Sequence, residues 1–239
     1  NKQRFVLFME NTSNILVVVA HPDDEVLGCG ASIAKWTLLG NTVHILIMAE
    51  GLTSRSLVRD RNAKSKELSL LSKLAHQAGA VLGATSVKLL GFPDNRMDSL
   101  DLLDIIKAIE KEVDCIKPNI VVTHHYGDLN VDHQITHNAV ITACRPQPGQ
   151  SVRRILTFEI PSSTEWQTKG VGFAFQPNWF EDVSNTIDLK IKALNIYKSE
   201  MRDWPHARSI ESVKYLSRWR GSSIGCEAAE AMFLIREMK

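Results

Sequence analysis

The sequence predicts an α/β fold in which helices cover both faces of a mostly parallel β-sheet. Short apolar segments alternate with longer amphipathic segments through the first two thirds of the chain. Parallel strands need a crossover of helical length between them, and strands buried on both faces are apolar throughout. The 239 residues, of which 44% are hydrophobic, suffice for a large core. These observations predict a Rossmann-like three-layer sandwich.

Five strands alternate with four helices up to residue 160, which defines an α/β core at residues 15–160. The predicted strands are the apolar and β-branched segments 15–20, 42–48, 86–90, 119–123 and 154–160. The predicted helices between them are segments 27–39, 60–82, 100–116 and 132–144. Gly83, Pro118 and Pro146 end the last three helices.

The alternation weakens after Pro161. Segment 162–178 is predicted to be a loop or an irregular hairpin, because it contains many turn-forming residues. The aromatic residues of this region, which pack in the core or at an interface or form a platform for a ligand, are Trp166, Phe173, Phe175 and Trp179. The predicted helices that follow are segments 187–201, 209–219 and 226–238. Since no flexible linker marks a boundary, we predict one domain over residues 1–239, in which residues 161–239 form a largely helical part that shapes the binding pocket.

Composition excludes several classes of function. The net charge of +1 gives no sign of nucleic-acid binding, and no apolar run is long enough to span a bilayer. The N-terminal segment lacks the pattern of a signal peptide. The four cysteines, none in a Cys-x-x-Cys pair, are Cys29, Cys115, Cys144 and Cys226. We therefore expect reduced thiols in a cytoplasmic protein, and no zinc site built from cysteines.

The most informative segment, residues 18–25, follows the first predicted strand. It contains His21, Asp23, Asp24 and Glu25. Carboxylates crowded at the end of a strand repel one another unless a cation or a proton compensates. A helix N-cap explains one aspartate, but it does not explain the histidine and the second aspartate. The cluster therefore favours a metal site with an adjacent base.

A second polar segment, residues 123–133, follows the fourth predicted strand and should open at the same edge of the sheet. Neighbouring residues on a strand point to opposite faces, so at most one of His124 and His125 faces the site. His133 and His137 share a helix face because they are four residues apart. His137 either supports a ligand or is a core histidine. A metal ion could be shared by the two segments.

Two imidazoles and one carboxylate from separate segments form a mixed nitrogen and oxygen site that suits zinc. Catalytic zinc keeps one position open for water. Asp23 and Asp24 cannot have the same role, so one should bind the metal and the other should accept a proton from water. This division predicts metal-assisted hydrolysis of a carbonyl compound.

The two motifs together resemble the LmbE-like zinc N-deacetylases, which include the N-acetylglucosaminyl-phosphatidylinositol de-N-acetylases (PIG-L). The resemblance is carried by segments 20–25 and 130–133 and spans residues 15–144 in order and spacing. It implies the α/β fold predicted above and a single deacetylase domain. Relatives are often oligomeric, so a homo-oligomer is a possible state.

The resemblance also implies roles for individual residues. His21, Asp24 and His133 are expected to bind one Zn²⁺ ion per chain, and Asp23 is the expected general base. Glu25 is expected to cap or brace the helix. The implied substrate is a small-molecule N-acetylated sugar, for example a nucleotide sugar or a glycoconjugate precursor.

One position departs from the family pattern. Many members carry a histidine three residues before the last ligand, where it stabilises the oxyanion or protonates the leaving amine, but this chain has Asn130. Asn can donate a hydrogen bond to an oxyanion but cannot act as an acid. Asp23 could return the proton that it took. The histidines that could replace the missing one are His125, His137 and His206. Asp132 is expected to orient a neighbouring polar group.

The segments after the second and third strands should reach the same rim as the two motifs. Arg55, Arg59 and Arg61 form a basic cluster there, which is either a solvated helix start or a clamp for a phosphate or a nucleotide. In relatives an acidic residue in the loop of Asp94 holds sugar hydroxyls. The residues assigned to substrate binding are Arg55, Asp94, Arg96, His206 and Arg208.

Three functions are compatible with these residues. The first is a zinc-dependent N-deacetylase that acts on an amino sugar. The second is an amidase with the same chemistry that cleaves a larger acyl or thiol conjugate. The third is a non-catalytic module that binds metal or sugar. Asp23 argues against the third function, because a binding site does not need a free base.

Overall fold

The computed structural model describes residues 12–168 and 174–239, whose strands form one seven-stranded sheet. The strands, numbered along the chain, are β1 (Asn14–Val19), β2 (Thr42–Ala49), β3 (Ser86–Phe92), β4 (Ile120–His124), β5 (Arg154–Phe158), β6 (Trp179–Asp182) and β7 (Ala229–Glu237). Their spatial order is β3-β2-β1-β4-β5-β7-β6. Strands β1 to β5 are parallel, whereas β7 is antiparallel to both of its neighbours. The predicted, mostly parallel sheet is confirmed.

Helices pack on both faces of this sheet. They are α1 (Asp24–Leu38), α2 (Ser65–Val81), α3 (Leu102–Ile116), α4 (Val131–Ala143), α5 (Ile187–Ile196) and α6 (Ile210–Ser222). Val17 and Val19 of β1 lie in a core shared with α1, α2 and α5, while Leu16 and Val18 lie in a core shared with α3 and α4. The three-layer sandwich is therefore confirmed. Within the described residues, no helix combines the length and the apolar character that crossing a membrane requires.

The position of β1 determines where a site can form. β1 pairs in parallel with β2 on one side and with β4 on the other. The helices that follow β1 and β4 pack against opposite faces of the sheet, because α1 contributes to one core and α4 to the other. Such a switch point leaves a crevice beyond the carboxyl ends of the two strands. Both polar motifs follow these two strands.

The prediction of a helix at residues 226–238 is wrong. This segment contains β7, which pairs with β5 and β6. Its Ala, Glu, Met and Leu residues favour helix locally, but hydrogen bonds to two distant strands outweigh that preference. β6 was not predicted, and α5 ends at Ile196 rather than at residue 201. Trp179 lies on β6, and Phe173 lies outside the described residues.

A buried ion pair joins the C-terminal part to α1. Glu230 on β7 accepts hydrogen bonds from the backbone N–H groups of Ala31 (3.1 Å) and Ser32 (2.7 Å). Lys190 on α5 donates to the Glu230 carboxylate over 2.6 Å, and both side chains are buried. The backbone of α1 departs from helical dihedral angles at Cys29, where φ is −145°. The ion pair thus ties the helix that carries the first motif to α5 and β7.

Candidate metal centre and active site

The two ligand motifs meet beyond the carboxyl ends of β1 and β4. His21 and Asp24 follow β1, and His133 lies in the first turn of α4. One potential ligand atom from each residue lies within 4.8 Å of the other two. Asp24 Oδ2 is 3.3 Å from His21 Nδ1 and 3.2 Å from His133 Nε2. All three side chains are buried. The structure therefore brings together the three residues that the resemblance implied as metal ligands.

The other ring nitrogen of each histidine faces a carboxylate. Asp132 Oδ2 lies 3.0 Å from His21 Nε2, and Asp128 Oδ1 lies 3.1 Å from His133 Nδ1. In metal sites a carboxylate behind a ligating histidine fixes the tautomer and the orientation of the ring. The inward nitrogens, His21 Nδ1 and His133 Nε2, remain directed toward Asp24.

The chemistry of this cluster fits a divalent cation. Asp24 Oδ1 is buried and has no hydrogen-bond partner among the described residues, and the buried His133 Nε2 faces the Asp24 carboxylate at 3.2 Å. Burial alone would lower the pKa of His21 and His133, but neighbouring carboxylates raise the pKa values to about 10 and about 9. Burial opposes ionisation of Asp24, yet the charge of His133 holds its pKa well below the usual range. Two imidazoles and a carboxylate held this way suit zinc, which would replace protons on the histidines.

A second group of potential ligands adjoins the first and contains His21, Asp94 and Asp132. Asp132 already accepts backbone N–H groups with both oxygens, from Asn95 (2.7 Å) and Met97 (3.0 Å). Its hydrogen bonds therefore hold the loop after β3 against His21. The first group fits a metal better, since Asp24 Oδ1 remains without a hydrogen-bond partner among the described residues, although Asp24 Oδ2 accepts the backbone N–H of His21 over 2.8 Å.

Asp23 lies beside the ligand cluster and is nearly fully buried. It occupies the N-cap position of α1, but its side chain accepts no capping hydrogen bond. Instead Asp23 Oδ2 accepts a hydrogen bond from Arg208 Nη1 over 3.0 Å. Burial raises the pKa of Asp23 to about 7, against the opposing effect of the Arg208 charge. A carboxyl group with a pKa near 7 can exchange a proton at neutral pH.

Asn130 serves as the N-cap of α4. Its Oδ1 accepts a hydrogen bond from the backbone N–H of Asp132 over 2.8 Å. Its Nδ2 donates to Asn95 Oδ1 over 2.8 Å. The side chain also lines the pocket above the ligand cluster. Capping explains why an asparagine is favourable here, because Asn is among the best N-cap residues.

The three histidines that could replace an acid at position 130 all lie outside the pocket at His21. His137 Nδ1 is 2.9 Å from the backbone oxygen of His124, beneath the site. The ring of His125 packs edge-on against Phe175. His206 Nδ1 accepts the backbone N–H of Arg208 over 3.0 Å. The structure places none of the three among the residues that line the pocket at His21.

The basic cluster of the rim forms ion pairs within the protein. Arg59 Nε and Arg61 Nε lie 2.8 and 2.9 Å from the carboxylate of buried Glu50. Arg96 donates to backbone carbonyl groups at residues 56 and 57. Arg55 forms an ion pair with Glu200. Of the two interpretations of this cluster, these partners disfavour a clamp for a phosphate or a nucleotide.

A polar pocket of about 200 Å³ opens onto the ligand cluster. Its charged and amide-bearing walls are His21, Asp23, Arg55, Asp94, Asn95, Asn130, Glu200 and Arg208. Of the predicted substrate residues, Arg55, Asp94 and Arg208 therefore reach this pocket. His206 instead lines a separate, more apolar cavity of about 440 Å³ with Trp166 and Trp204.

Three residues of the site received no role from the sequence, although His124 was one of two histidines of which one could face the site. Asp128 is fully buried, and its carboxylate accepts hydrogen bonds from the hydroxyl groups of Ser163 and Thr164. His124 stacks on the His133 ring with centroids 3.9 Å apart. Glu200 contributes a buried carboxylate to the polar pocket. Asp128 could have been anticipated from its place in the second motif, whereas nothing near Glu200 in the sequence indicates a site.

Known proteins resemble this chain in sequence and in structure. The deacetylase YaiS of Escherichia coli, described as uncharacterized, is 33% identical over 194 residues, covering 77% of this chain and 90% of YaiS. The diacetylchitobiose deacetylase of Thermococcus kodakarensis is 25% identical over 222 residues, which cover 84% of this chain and 77% of that relative. The structure of the N,N'-diacetylchitobiose deacetylase of Pyrococcus horikoshii superposes with a TM-score of 0.75 at 18% identity. The superposition covers 95% of this chain and 85% of that structure.

Residues 16–144 match the family described as PIG-L, GlcNAc-PI de-N-acetylase. The matched region begins on β1 and ends just after α4, so it contains His21, Asp23, Asp24, Asn130 and His133. The predicted resemblance is confirmed by this match and by the YaiS relative. The chain belongs to the PIG-L (LmbE-like) family of deacetylases.

Proposed function

We propose that this protein is a zinc-dependent hydrolase that removes the N-acetyl group from an amino sugar. The observation that carries the proposal is the position of Asp23, a buried carboxylate beside the His21, Asp24 and His133 cluster but outside it. A site that only bound metal would gain nothing from this charge. The named relatives are deacetylases, and two of them act on diacetylchitobiose.

Zinc is the proposed metal, one ion per chain, and the ligands are His21, Asp24 and His133. When it is bound, zinc supplies a positive charge that polarises the amide carbonyl and makes water more acidic. The two imidazoles and the carboxylate match the preference of zinc for nitrogen and oxygen donors. Asp132 and Asp128 keep the two imidazole rings oriented.

The protein's own groups move the proton. Asp23 accepts a proton from the attacking water and returns it to the leaving amine, so acetate and a free amine result. Arg208 holds the Asp23 carboxylate over 3.0 Å and favours its ionised form. Asn130 Nδ2 can donate a hydrogen bond toward the oxyanion if it leaves Asn95 Oδ1. This arrangement does not require a histidine at position 130.

The size and polarity of the pocket support a sugar with a small acyl group. A volume of about 200 Å³ suits one acetamido sugar ring, and the polar walls offer little apolar surface to a bulky acyl chain. Asp94 and Glu200 offer carboxylates, and Arg55 offers a cation, to the ring hydroxyls. Arg96 and His206 have weaker support, since Arg96 binds backbone carbonyls and His206 lines the other cavity. The amidase with a larger acyl substrate is therefore less favoured.

The test is release of acetate by protein that holds stoichiometric zinc. Substrates are N-acetylglucosamine, its β-1,4-linked dimer, its 1-phosphate and a nucleotide-linked form. We expect hydrolysis of at least one of them, and slower hydrolysis of the matching N-octanoyl amide. No release from any of these would contradict the deacetylase, and faster cleavage of the octanoyl amide would favour the amidase.

Further proposals concern the whole chain. A single domain over residues 1–239 is supported by one sheet that includes strands from both sides of residue 160. A cytoplasmic location is supported by the four cysteines, all of which are free. A homo-oligomer stays a prediction, which light scattering can test.

A further inference from the structure

We propose that Tyr197, acting through Glu25, positions Asp23 in the active site. This inference rests on the proposed function, because Asp23 is the residue to which proton transfer is assigned. Neither Glu25 nor Tyr197 lines the polar pocket, so both are positioning residues. In this role the last carboxylate of the first motif acts together with a residue far along the chain.

A continuous chain of hydrogen bonds joins the three residues. The backbone N–H of Asp23 donates to Glu25 Oε2 over 3.0 Å. The hydroxyl of Tyr197 donates to the other oxygen, Glu25 Oε1, over 2.8 Å. Glu25 and Tyr197 are completely buried, and Asp23 is 2% exposed. Each oxygen of the Glu25 carboxylate therefore has one donor, and water has little access to either bond.

The backbone of Asp23 needs such a restraint. Its φ of 103° lies in the left-handed region, which a residue with a Cβ atom occupies only when its surroundings enforce it. The carbonyl of Asp23 accepts the N–H groups of Val26 (3.0 Å) and Leu27 (2.9 Å) and so is fixed by the start of α1. The Glu25 carboxylate accepts the N–H of Asp23 and so fixes the other backbone polar group of this residue. Together these bonds direct the Asp23 side chain toward Arg208 and the pocket.

Tyr197 connects this restraint to the rim of the pocket. It directly follows α5, and its carbonyl accepts the N–H of Glu200 over 2.8 Å. Glu200 in turn forms the ion pair with Arg55. The short segment after α5 thus contains Tyr197, which restrains the backbone of Asp23 through Glu25, and Glu200, which lines the pocket. A purely structural role could be filled by an apolar side chain, which would avoid burial of a carboxylate.

The first test uses metal-free protein and does not depend on activity. Tyr197→Phe removes only the hydroxyl, and Leu194→Val is the control because Leu194 is buried one turn earlier on α5. Amide hydrogen exchange is followed at Asp23 by NMR. We expect exchange at the Asp23 amide to be up to about tenfold faster in Tyr197→Phe, the factor that corresponds to one lost buried hydrogen bond. An unchanged rate at Asp23 would overturn the proposal.

The second test compares kinetics in zinc-loaded protein. Tyr197→Phe should lower kcat by about tenfold with KM within about twofold, because misplacement of a catalytic group affects the transition state more than ground-state binding. Zinc content should remain one ion per chain. Glu25→Gln should also lower kcat, and adding Tyr197→Phe to it should cost little more, since both act through one contact.

The outcomes separate the two proposals. Wild-type protein that hydrolyses no amide would contradict the proposed function, while the exchange rate at Asp23 would still decide the positioning role. An active wild type with an equally active Tyr197→Phe variant would overturn only the positioning role. Additive losses in Glu25→Gln and Tyr197→Phe, or an equal loss in Leu194→Val, would also overturn it.

Discussion

Replacing Arg208 by methionine should move the acidic limb of the activity profile to higher pH. Arg208 Nη1 lies 3.0 Å from Asp23 Oδ2, and the Arg208 side chain is only 23% exposed, so solvent screens the pair weakly. A hydrogen bond between charged groups contributes about 1.5–3 kcal/mol, which corresponds to about 1–2 pKa units. Its loss destabilises the ionised carboxylate and therefore raises the pKa of Asp23.

The sign of the effect follows from the role of the base. Asp23 must be ionised to accept a proton, so activity rises as the pH increases through its pKa. That pKa is about 7 in the metal-free protein, and the charge of a bound metal would lower it in wild type and variant alike. At a pH below the acidic limbs of both proteins, kcat/KM of Arg208→Met should be about 10–100 times lower than that of wild type. The difference should shrink at high pH, where Asp23 is ionised in both proteins.

The assay measures kcat/KM for acetate release between about pH 5 and pH 10. This range spans the acidic limb expected for wild type and the shifted acidic limb expected for Arg208→Met. Arg208→Lys keeps a positive charge and should shift the limb less. Arg96→Met is the matched control, because Arg96 binds backbone carbonyls rather than Asp23. An acidic limb that stays in place in Arg208→Met would refute the view that this arginine sets the ionisation of the base.

Three further predictions concern the metal site and the core. Lys190→Met leaves the Glu230 carboxylate buried without its cation and should lower the free energy of unfolding by roughly 3–5 kcal/mol, measured in urea. Asp128→Asn removes the carboxylate 3.1 Å from His133 Nδ1 and should weaken zinc binding about 10–100-fold in a chelator competition. Zinc binding to metal-free protein at pH 7 should release protons, because His21 and His133 have pKa values of about 10 and 9 there; calorimetry in two buffers measures this release.

Each of these predictions has a clear contrary result. Lys117→Met breaks an exposed ion pair with Asp114 and should change the free energy of unfolding by less than about 1 kcal/mol. An equally small change in Lys190→Met would contradict the importance of the buried pair. Thr164→Val removes one hydrogen bond to Asp128 without touching His133 and should retain most of the zinc affinity. Zinc binding without proton release would mean that the two histidines are neutral before the metal arrives.

The sequence predicted the features that are encoded locally. Strands β1 to β5 and the helices between them follow from hydrophobic patterns and helix-ending residues over short stretches. The resemblance to the zinc deacetylases implied His21, Asp24 and His133 as metal ligands. Their motifs directly follow strands, and parallel strands bring such segments to one edge of a sheet. The structure places these three residues within 4.8 Å of one another.

Features that depend on distant pairing could not be predicted in this way. Segment 226–238 has the composition of a helix, and only its insertion between β5 and β6 makes β7 a strand. Tyr197 is 172 residues from its partner Glu25, and Arg208 is 185 residues from Asp23. The arginines of the rim suggested an anion site, but buried Glu50 pairs with Arg59 and Arg61. Such pairings depend on the packing of distant segments.

We propose that Asp23 acts as a base beside a metal that it does not bind. The most direct measurement compares Asp23→Asn with wild type for both zinc content and acetate release from the best substrate. We expect one zinc ion per chain in both proteins and a loss of kcat of at least about 100-fold in the variant, in line with the loss of a general base. A variant that retains turnover, or that loses its zinc together with its activity, would contradict the division of roles between Asp23 and Asp24.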